Sequence, residues 1–135
     1  MSCRFQGKKL NRVVRKILLV EDQPLNLSLL EHMLDWFDLR ADVAIDGLQA
    51  VEMASTGAYA LVLMDIQLPG IDGVEATRRI RSCGLPCQPA IVAMTANAYQ
   101  GERRRCLEAG MDDMLVKPFK LDDLRRVIDA YLPSA

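Results

Sequence analysis

The sequence predicts a single α/β domain built on a doubly wound parallel sheet, and three observations lead to that prediction. Short apolar runs alternate with longer amphipathic segments five times along the 135 residues. Three of the apolar runs show no polar alternation, which is typical of strands covered by helices on both faces. Hydrophobic residues make up 50% of the chain, enough for one core, and no apolar run reaches the ~20 residues of a membrane span.

The first two strand–helix units lie within residues 17–56. Residues 17–20 form an apolar strand, and Pro24 suits the first turn of the helix that follows because its missing N–H would be unpaired there. Apolar residues then recur at helical spacing, namely Leu30, Met33, Leu34 and Phe37. Residues 41–45 alternate, as a half-covered edge strand does, and a helix is predicted over 47–56 after the break at Asp46-Gly47.

Three further units complete the domain. An apolar strand over 61–64 precedes a helix over 72–83, with Gly84 just past its end. A strand over 90–94 precedes a weaker helix over 98–109, which ends at Gly110. The last strand covers 114–116, and Pro133 closes the last helix. The apolar positions of that helix are Leu121, Leu124, Val127, Ile128 and Tyr131.

The pattern also predicts the strand order and the extent of the domain. Right-handed crossovers, with the alternating second strand at an edge, give the open order 2-1-3-4-5 of flavodoxin-like domains. The domain covers residues 16–132 and leaves a tail over 133–135. Residues 1–15 hold five basic side chains and no acidic one. We interpret them as an interdomain linker or cloning remnant, in preference to an arm that touches nucleic acid or anionic lipid.

Ionisable and hydroxyl side chains follow four of the strands. In open parallel sheets the binding site lies beyond the carboxyl ends of the strands, so these side chains are expected to meet at one rim. They are Glu21 and Asp22 after strand one, Asp65 after strand three, Thr95, Ala96 and Asn97 after strand four, and Lys117 after strand five.

Three carboxylates in one cleft repel each other, and a hard divalent cation relieves that repulsion. Mg²⁺ prefers oxygen ligands in octahedral geometry. Asp22 and Asp65 are the expected direct ligands, Glu21 binds directly or through water, and the backbone carbonyl of Gln67 is placed to add an oxygen.

The remaining groups of the rim suit a phosphoryl group. Lys117 supplies a fixed positive charge and Thr95 a hydroxyl donor, and phosphoryl transfer needs such charges around its equatorial oxygens. A carboxylate can itself accept the phosphoryl group as an acyl phosphate. Asp65 is the acid that all the other groups surround, so we expect it to be the acceptor.

Each of these residues also has a purely structural interpretation. An aspartate after a strand often forms a turn or caps a helix. Glu21 and Asp22 can cap the first helix, Thr95 the fourth, and Lys117 can be a solvated lysine at a strand end. The joint presence of all four groups on one rim favours a functional site.

Four stretches of the sequence resemble the motifs of response-regulator receiver domains. They are ILLVEDQPLN (17–26), LVLMDIQLPGIDG (61–73), IVAMTANA (91–98) and GMDDMLVKPF (110–119), in the order in which receivers have them. The resemblance extends over residues 16–132. It implies that Asp65 is the phosphoacceptor, that Thr95 moves inward on phosphorylation, and that the Lys117–Pro118 peptide is cis.

The resemblance also implies a ligand set. The residues that would hold Mg²⁺ are Glu21, Asp22 and Asp65. The residues that would contact the phosphoryl oxygens are Thr95, Ala96 and Lys117.

The amino-acid sequences of these motifs are most similar to those in receivers of hybrid sensor histidine kinases. EDQPLN, AMTANA and CLEAGMDDMLVKPF carry that similarity. It implies phosphate transfer from a histidine kinase core to the receiver and on to a histidine phosphotransfer domain, with no direct binding of nucleic acid or membrane by the receiver. We expect a cytoplasmic, monomeric domain with slow autophosphatase activity, in a parent kinase that a membrane can anchor.

Several positions depart from the receiver pattern or lie outside it. Many receivers have an aromatic residue three positions before the lysine, where this chain has Met114. An aromatic switch is therefore not expected. His32 is interpreted as structural or surface. The cysteines have no zinc-like spacing and are interpreted as free thiols; they are Cys3, Cys83, Cys87 and Cys106.

Three other functions compete with a receiver. A phosphatase of the haloacid dehalogenase type needs a second acid two residues after the acceptor, where this chain has Gln67. A flavin or nucleotide binder needs a phosphate-cradling loop after strand one, where Glu21 and Asp22 repel phosphate. A purely structural pseudo-receiver would not need the acidic cluster, Thr95 and Lys117. We expect Gln67 and Asn97 to flank the path of a water molecule that hydrolyses phosphorylated Asp65.

Overall fold

A computed structural model describes residues 16–132 of the chain. The basic lead-in, Cys3, Pro133 and the tail that the sequence predicts lie outside the described residues. The strands are β1 (Lys16–Val20), β2 (Ala41–Ala44), β3 (Tyr59–Asp65), β4 (Ala90–Thr95) and β5 (Asp113–Val116). The helices are α1 (Pro24–Trp36), α2 (Gly47–Ala54), α3 (Gly73–Ser82), α4 (Gln100–Ala109) and α5 (Leu121–Tyr131).

The five strands form one parallel sheet in the order β2-β1-β3-β4-β5, which confirms the predicted fold and order. In the centre of the sheet Leu19 of β1 lies opposite Leu63 of β3, and Leu63 lies opposite Val92 of β4. Every residue of β3 and β4 is buried, as the unbroken apolar runs predict. In edge strand β2 only Ala44 is buried.

Helices cover both faces of the sheet, and a separate apolar core lies on each. Alternate side chains of the central strands point to opposite faces. Leu19 and Leu63 pack with α1 and α5. Val62 and Met64 pack on the other face with residues of α2, α3 and α4.

Several element boundaries differ from those predicted by one to two residues at an end. Strand β3 starts at Tyr59 and includes Asp65, which pairs with Met94. Helix α2 ends at Ala54, and just beyond its end the Ser55 hydroxyl donates a hydrogen bond of 2.6 Å to the Val51 carbonyl. Helix α4 starts at Gln100, two residues later than predicted.

Three hydrogen bonds fix the loops at the carboxyl edge of the sheet. Each joins a backbone N–H just beyond one strand to the carbonyl of a neighbouring strand. The pairs are Glu21 N to Ala44 O (3.1 Å), Ile66 N to Met94 O (3.1 Å) and Lys117 N to Thr95 O (2.7 Å). These buried backbone groups therefore have partners, and the residues beyond them start from fixed positions.

Gly73 lets helix α3 approach the end of β3 closely. A Cβ at this position would meet the carbonyl oxygen of Asp65, so only glycine fits here without a shift of backbone. The N–H of Gly73 donates to the Ile66 carbonyl at 2.9 Å. The loop that follows Asp65 is thereby held against the strand that carries it.

The remaining sequence features have ordinary places in the fold. His32 is exposed on α1, and its Nδ1 lies 2.8 Å from the Ser28 carbonyl oxygen. Cys83 and Cys106 are free thiols. No helix within residues 16–132 is long and apolar enough to cross a membrane.

Candidate functional site

Three acidic side chains meet at the carboxyl edge of the sheet, between β1 and β3. Glu21 and Asp22 follow β1, and Asp65 is the last residue of β3. One carboxylate oxygen from each lies within 4.8 Å of the other two. From β1 the sheet continues to β2 on one side and to β3, β4 and β5 on the other, so the connections leave β1 and β3 in opposite directions. A binding site in a doubly wound fold usually lies at this point.

Asp65 has a different partner at each carboxylate oxygen. Its Oδ1 accepts a hydrogen bond of 3.0 Å from the backbone N–H of Gln67, and its Oδ2 lies 3.2 Å from the Nζ of Lys117. Only 8% of the side chain is exposed. The hydrogen bond and the ammonium group together hold the carboxylate of Asp65 in a fixed orientation.

Glu21 is the most buried member of the cluster, with no exposed surface. Burial is the main cause that raises the pKa of Glu21, and the nearby charge of Asp65 raises it further. Lys117 opposes this effect with its Nζ at 3.4 Å from Oε1 of Glu21. One ammonium therefore serves two carboxylates, and the cluster retains excess negative charge.

Thr95 and Ala96 lie on the opposite wall of the site. The Thr95 hydroxyl is bound within its own loop, where it donates to the Asn97 carbonyl at 3.1 Å and accepts from the Asn97 N–H at 3.0 Å. Because its single O–H donor is already used, the hydroxyl must leave the Asn97 carbonyl before it can donate a hydrogen bond to a ligand.

The predicted site residues surround one cavity of about 150 Å³. Its lining includes every predicted site residue except Glu21, which lines a neighbouring groove and contacts Lys117. The residues that line it are Asp22, Gln23, Asn26, Asp65, Ile66, Gln67, Thr95, Ala96 and Lys117. The Gln67 N–H contacts Asp65, whereas the role of the Gln67 carbonyl as a metal ligand stays a prediction.

The structure also answers whether these residues serve only as helix caps. The residue that precedes α1 is Gln23, and no side chain caps this helix end. Glu21 accepts the Gln23 N–H at 3.2 Å but lies outside the helix. Helix α4 is preceded by Tyr99, not Thr95. Asp22 and Thr95 therefore have no capping role, in contrast to Asp46 and Asp72, which do cap helices.

Sequence reasoning missed two amides that line the cavity, Gln23 and Asn26. Asn26 lies in the first turn of α1, only four residues along the chain from Asp22. That spacing is the signal from which it could have been found. Asn26 is half-buried.

A second, more apolar groove of about 310 Å³ adjoins the cavity. It runs between α1 and the segment after β5, and Asn26, Ala96 and Lys117 line both the groove and the cavity. The apolar side chains of its walls are Leu29, Leu30, Met33, Pro118 and Phe119. Leu29 is 61% exposed, although it is a large hydrophobic residue. The Lys117–Pro118 peptide is cis, as the resemblance implied.

A chain of three charges connects α4 to the loop that follows Asp65. Arg105 lies 3.1 Å from Oε1 of Glu102 and 3.4 Å from Oδ2 of Asp72, the residue that caps α3. Glu102 is buried with 8% of its side chain exposed. Arg105 is its only ion-pair partner in the part of the chain that the structure describes.

The position that is aromatic in many receivers is half-buried in this chain. Met114 of β5 packs against the core on the α2–α4 face of the sheet. Methionine fills irregular space with a flexible side chain. The expectation that an aromatic switch does not operate here stays a prediction.

This chain belongs to the response regulator receiver domain family, whose sequence model matches residues 17–129. Two curated relatives are sensor kinases. The sensor histidine kinase RcsC of Salmonella typhi is 41% identical over 115 residues, which are 85% of this chain and 12% of the relative. Hybrid signal transduction histidine kinase G of Dictyostelium discoideum is 42% identical over 121 residues, which are 87% of this chain and 4% of the relative. The chain thus spans a small part of either kinase.

Two solved structures are also similar to the chain. The receiver domain of sensor histidine kinase PA1611 from Pseudomonas aeruginosa has 44% identity and a TM-score of 0.78, and the match covers 90% of this chain and 99% of that one. That receiver has a magnesium ion coordinated in its active site cleft. The receiver of Saccharomyces cerevisiae Ssk1, solved with the histidine phosphotransfer protein Ypd1, has 31% identity and a TM-score of 0.78 over 87% of this chain and 88% of that one.

The first prediction concerns the buried charge of Glu21 in the metal-free protein. We expect Glu21→Gln to raise the free energy of unfolding at pH 7.5 in EDTA by an amount on the order of 1 kcal/mol, because it removes a buried charge that Asp65 repels. Since folding raises the pKa of Glu21, the wild type takes up a proton as the pH falls, and the difference should close towards pH 4.5. Urea unfolding at several pH values measures both effects.

Glu31→Gln, an exposed change on α1, is the matched control and should alter stability by less than about 0.5 kcal/mol. A wild type that is more stable than Glu21→Gln at pH 7.5 without metal would contradict the prediction.

The second prediction concerns the ion pair of Arg105. We expect Arg105→Gln to destabilise the protein by about 1–3 kcal/mol, because it leaves the carboxylate of Glu102 buried with no opposite charge. The double change with Glu102→Gln should recover part of that loss. Arg104→Gln, its exposed neighbour, should stay within about 0.5 kcal/mol of wild type. Equal unfolding free energies for the Arg104 and Arg105 variants would show that the ion pairs of Arg105 contribute nothing to the stability of the domain.

Proposed function

We propose that this chain is the receiver module of a two-component phosphorelay and that Asp65 accepts a phosphoryl group from a phosphohistidine. The observation that carries the proposal is the environment of Asp65. Its two oxygens are held by the Gln67 N–H and by Lys117, and it lines a small cavity beside two further carboxylates.

The acidic cluster fits a divalent cation. Glu21, Asp22 and Asp65 present hard oxygen ligands close together. Burial, followed by the nearby charge of Asp65, raises the pKa of Glu21, and both causes disfavour its negative charge unless a cation is bound. Carboxylate oxygens are the ligands that Mg²⁺ prefers, and the Pseudomonas receiver holds magnesium in its cleft. Bound there, Mg²⁺ would supply positive charge to the oxygens of the phosphoryl group.

The chain's own residues account for the positioning of the reaction. The Gln67 N–H fixes one Asp65 oxygen, so the other has a defined direction towards the cavity. That oxygen forms the new bond to phosphorus, and the bond from phosphorus to the donor nitrogen breaks on the opposite side. Lys117 stabilises the charge on the equatorial oxygens from a fixed position.

Thr95 links phosphorylation to a change in the β4–α4 loop. Its hydroxyl is bound to the Asn97 backbone, and a phosphoryl group on Asp65 offers it a stronger, charged acceptor. The hydroxyl exchanges partners and the loop moves with it. Ala96, which lines both the cavity and the groove, supplies a small side chain and a backbone N–H beside the phosphoryl oxygens.

Hydrolysis of the phosphorylated aspartate is expected to be slow. A fast phosphatase of the same fold needs a general acid near the acceptor, and the residue two positions after Asp65 is Gln67. Gln67 lines the cavity and its side chain cannot deliver a proton as a carboxylic acid does. The domain is thus suited to pass its phosphoryl group on.

The groove beside the cavity is the proposed docking site for a histidine phosphotransfer domain. It opens directly onto the catalytic cavity, so a partner helix seated there can present a histidine to Asp65. The exposed Leu29 of α1, with the apolar walls around it, gives a contact surface of the kind that docks an amphipathic helix. The similarity to the Ssk1 receiver, solved in complex with Ypd1, supports this choice of partner.

The parent protein is proposed to be a hybrid sensor histidine kinase. RcsC is a sensor histidine kinase and kinase G is a hybrid signal transduction histidine kinase, and the similarity spans only a small part of each. The histidine kinase core would be the phosphodonor of this receiver. Residues 1–15 are proposed to be a linker and residues 16–132 the receiver.

The third prediction tests the acceptor. With Mg²⁺ and acetyl phosphate, intact mass spectrometry should show one added phosphoryl group on the wild type and none on Asp65→Asn. The matched control is Asp46→Asn, which keeps a residue able to cap α2 at the edge of the sheet and should be phosphorylated like wild type. Equal phosphorylation of Asp65→Asn and wild type would refute the assignment.

The fourth prediction tests the groove. Leu29→Glu should lower the rate of transfer from a phosphorylated histidine phosphotransfer domain at least about tenfold, because a charge in an apolar contact is costly, while phosphorylation by acetyl phosphate stays near wild type. Leu107→Glu is the control, since Leu107 is 66% exposed on α4, away from the groove. If only the Leu107 variant loses transfer, the partner docks on α4 and the groove is not the docking site.

A further inference from the structure

Three residues line both the catalytic cavity and the adjoining groove, and one of them has no role in the mechanism above. They are Asn26, Ala96 and Lys117. Ala96 has no polar side chain, and the ammonium of Lys117 is held by Glu21 and Asp65. Asn26 is thus the polar residue at the opening between cavity and groove whose side chain remains available.

The fold makes no visible use of the Asn26 side chain. Its amide forms no hydrogen bond with any other residue within the described range 16–132, although the residue is half-buried. The position lies in the first turn of α1, where Pro24 starts the helix. An asparagine amide offers two N–H donors and one carbonyl acceptor, and all of them remain available here to a molecule that enters the site.

The in-line geometry of phosphoryl transfer decides which part of the donor meets Asn26. Asp65 lines the cavity but not the groove, so the attacking oxygen lies on the inner side. Attacking and leaving atoms lie on opposite sides of phosphorus. The leaving imidazole of a phosphohistidine therefore lies on the groove side, where Asn26 is found.

We propose that Asn26 is a positioning residue that recognises the imidazole ring of the phosphohistidine, its side-chain carbonyl accepting a hydrogen bond from the ring N–H that carries no phosphoryl group. This inference rests on the proposed function and adds a residue to it.

The contact has a chemical consequence for transfer in both directions. As the bond from phosphorus to one ring nitrogen breaks, its electron pair stays on that nitrogen. The other nitrogen keeps its proton, so neutral imidazole leaves while the new bond joins phosphorus to Asp65. In the reverse direction the same hydrogen bond holds that proton in place, which fixes the tautomer and leaves the opposite nitrogen free to attack.

Two small phosphodonors separate recognition of imidazole from phosphoryl transfer in general. Phosphoimidazole carries the ring, and acetyl phosphate has no N–H to donate. The rate constant for phosphorylation of the full chain with Mg²⁺ is measured at limiting concentrations of each donor. The readout is the ratio of the two rate constants, phosphoimidazole over acetyl phosphate.

Asn26→Leu, which is similar in size and has no acceptor, should lower this ratio about tenfold, the effect of one ordinary hydrogen bond, with acetyl phosphate used at nearly the wild-type rate. Asn26→Asp keeps an acceptor oxygen and adds a charge that repels phosphate. It should therefore slow both donors and retain the wild-type ratio. A purely structural role of Asn26 would not separate the two variants in this way.

Gln23→Leu is the matched control, because Gln23 is an amide that lines the cavity but not the groove, and its ratio should equal that of wild type. A wild-type ratio in Asn26→Leu, or an equal fall in Gln23→Leu, would overturn the role of Asn26 while leaving Asp65 as acceptor. Failure of both donors to phosphorylate wild type would overturn the proposed function and this inference together.

Discussion

The ammonium group of Lys117 lies between two carboxylates that would otherwise be buried without an opposite charge. Glu21 has no exposed surface and Asp65 almost none, and an unpaired buried charge is strongly unfavourable. Lys117 reaches both because a backbone hydrogen bond fixes the end of β5 against β4. The geometry of the candidate site therefore depends on a cation whose position is set by the sheet itself.

One cation is nevertheless insufficient for three acids, and this imbalance links the fold to its chemistry. The metal-free site retains negative charge, which a divalent ion can neutralise. Thr95 stands in contrast, because its hydroxyl already donates and accepts a hydrogen bond within its own loop. The acidic cluster of the site thus favours binding of a positive charge. The Thr95 hydroxyl, by contrast, leaves its loop only when a stronger hydrogen-bond acceptor is present. Both properties suit a domain that changes state when a phosphoryl group arrives.

Much of this arrangement could be predicted from sequence, because it depends on short-range patterns. Unbroken apolar runs identified the central strands, and parallel strands with their carboxyl ends at one edge bring Asp65 and Lys117 together. Contacts made by helix surfaces could not be predicted in that way. Arg105 pairs with Asp72 across 33 positions of sequence, and only the packing of α4 against the β3–α3 loop brings them close. The side of α1 on which Asn26 lies depends likewise on where that helix starts.

Helix α1 carries apolar residues on two separate sides. Leu30 and Leu34 are 4% and 1% exposed and belong to the core, whereas Leu25 and Leu29 are 82% and 61% exposed. Substitutions on the outer side leave the packing of the inner side unchanged. Evolution can therefore alter the outer residues, and with them the choice of partner, without lowering the stability of the domain. Duplicated copies of such a gene could diverge into insulated pathways through a few changes on one helix.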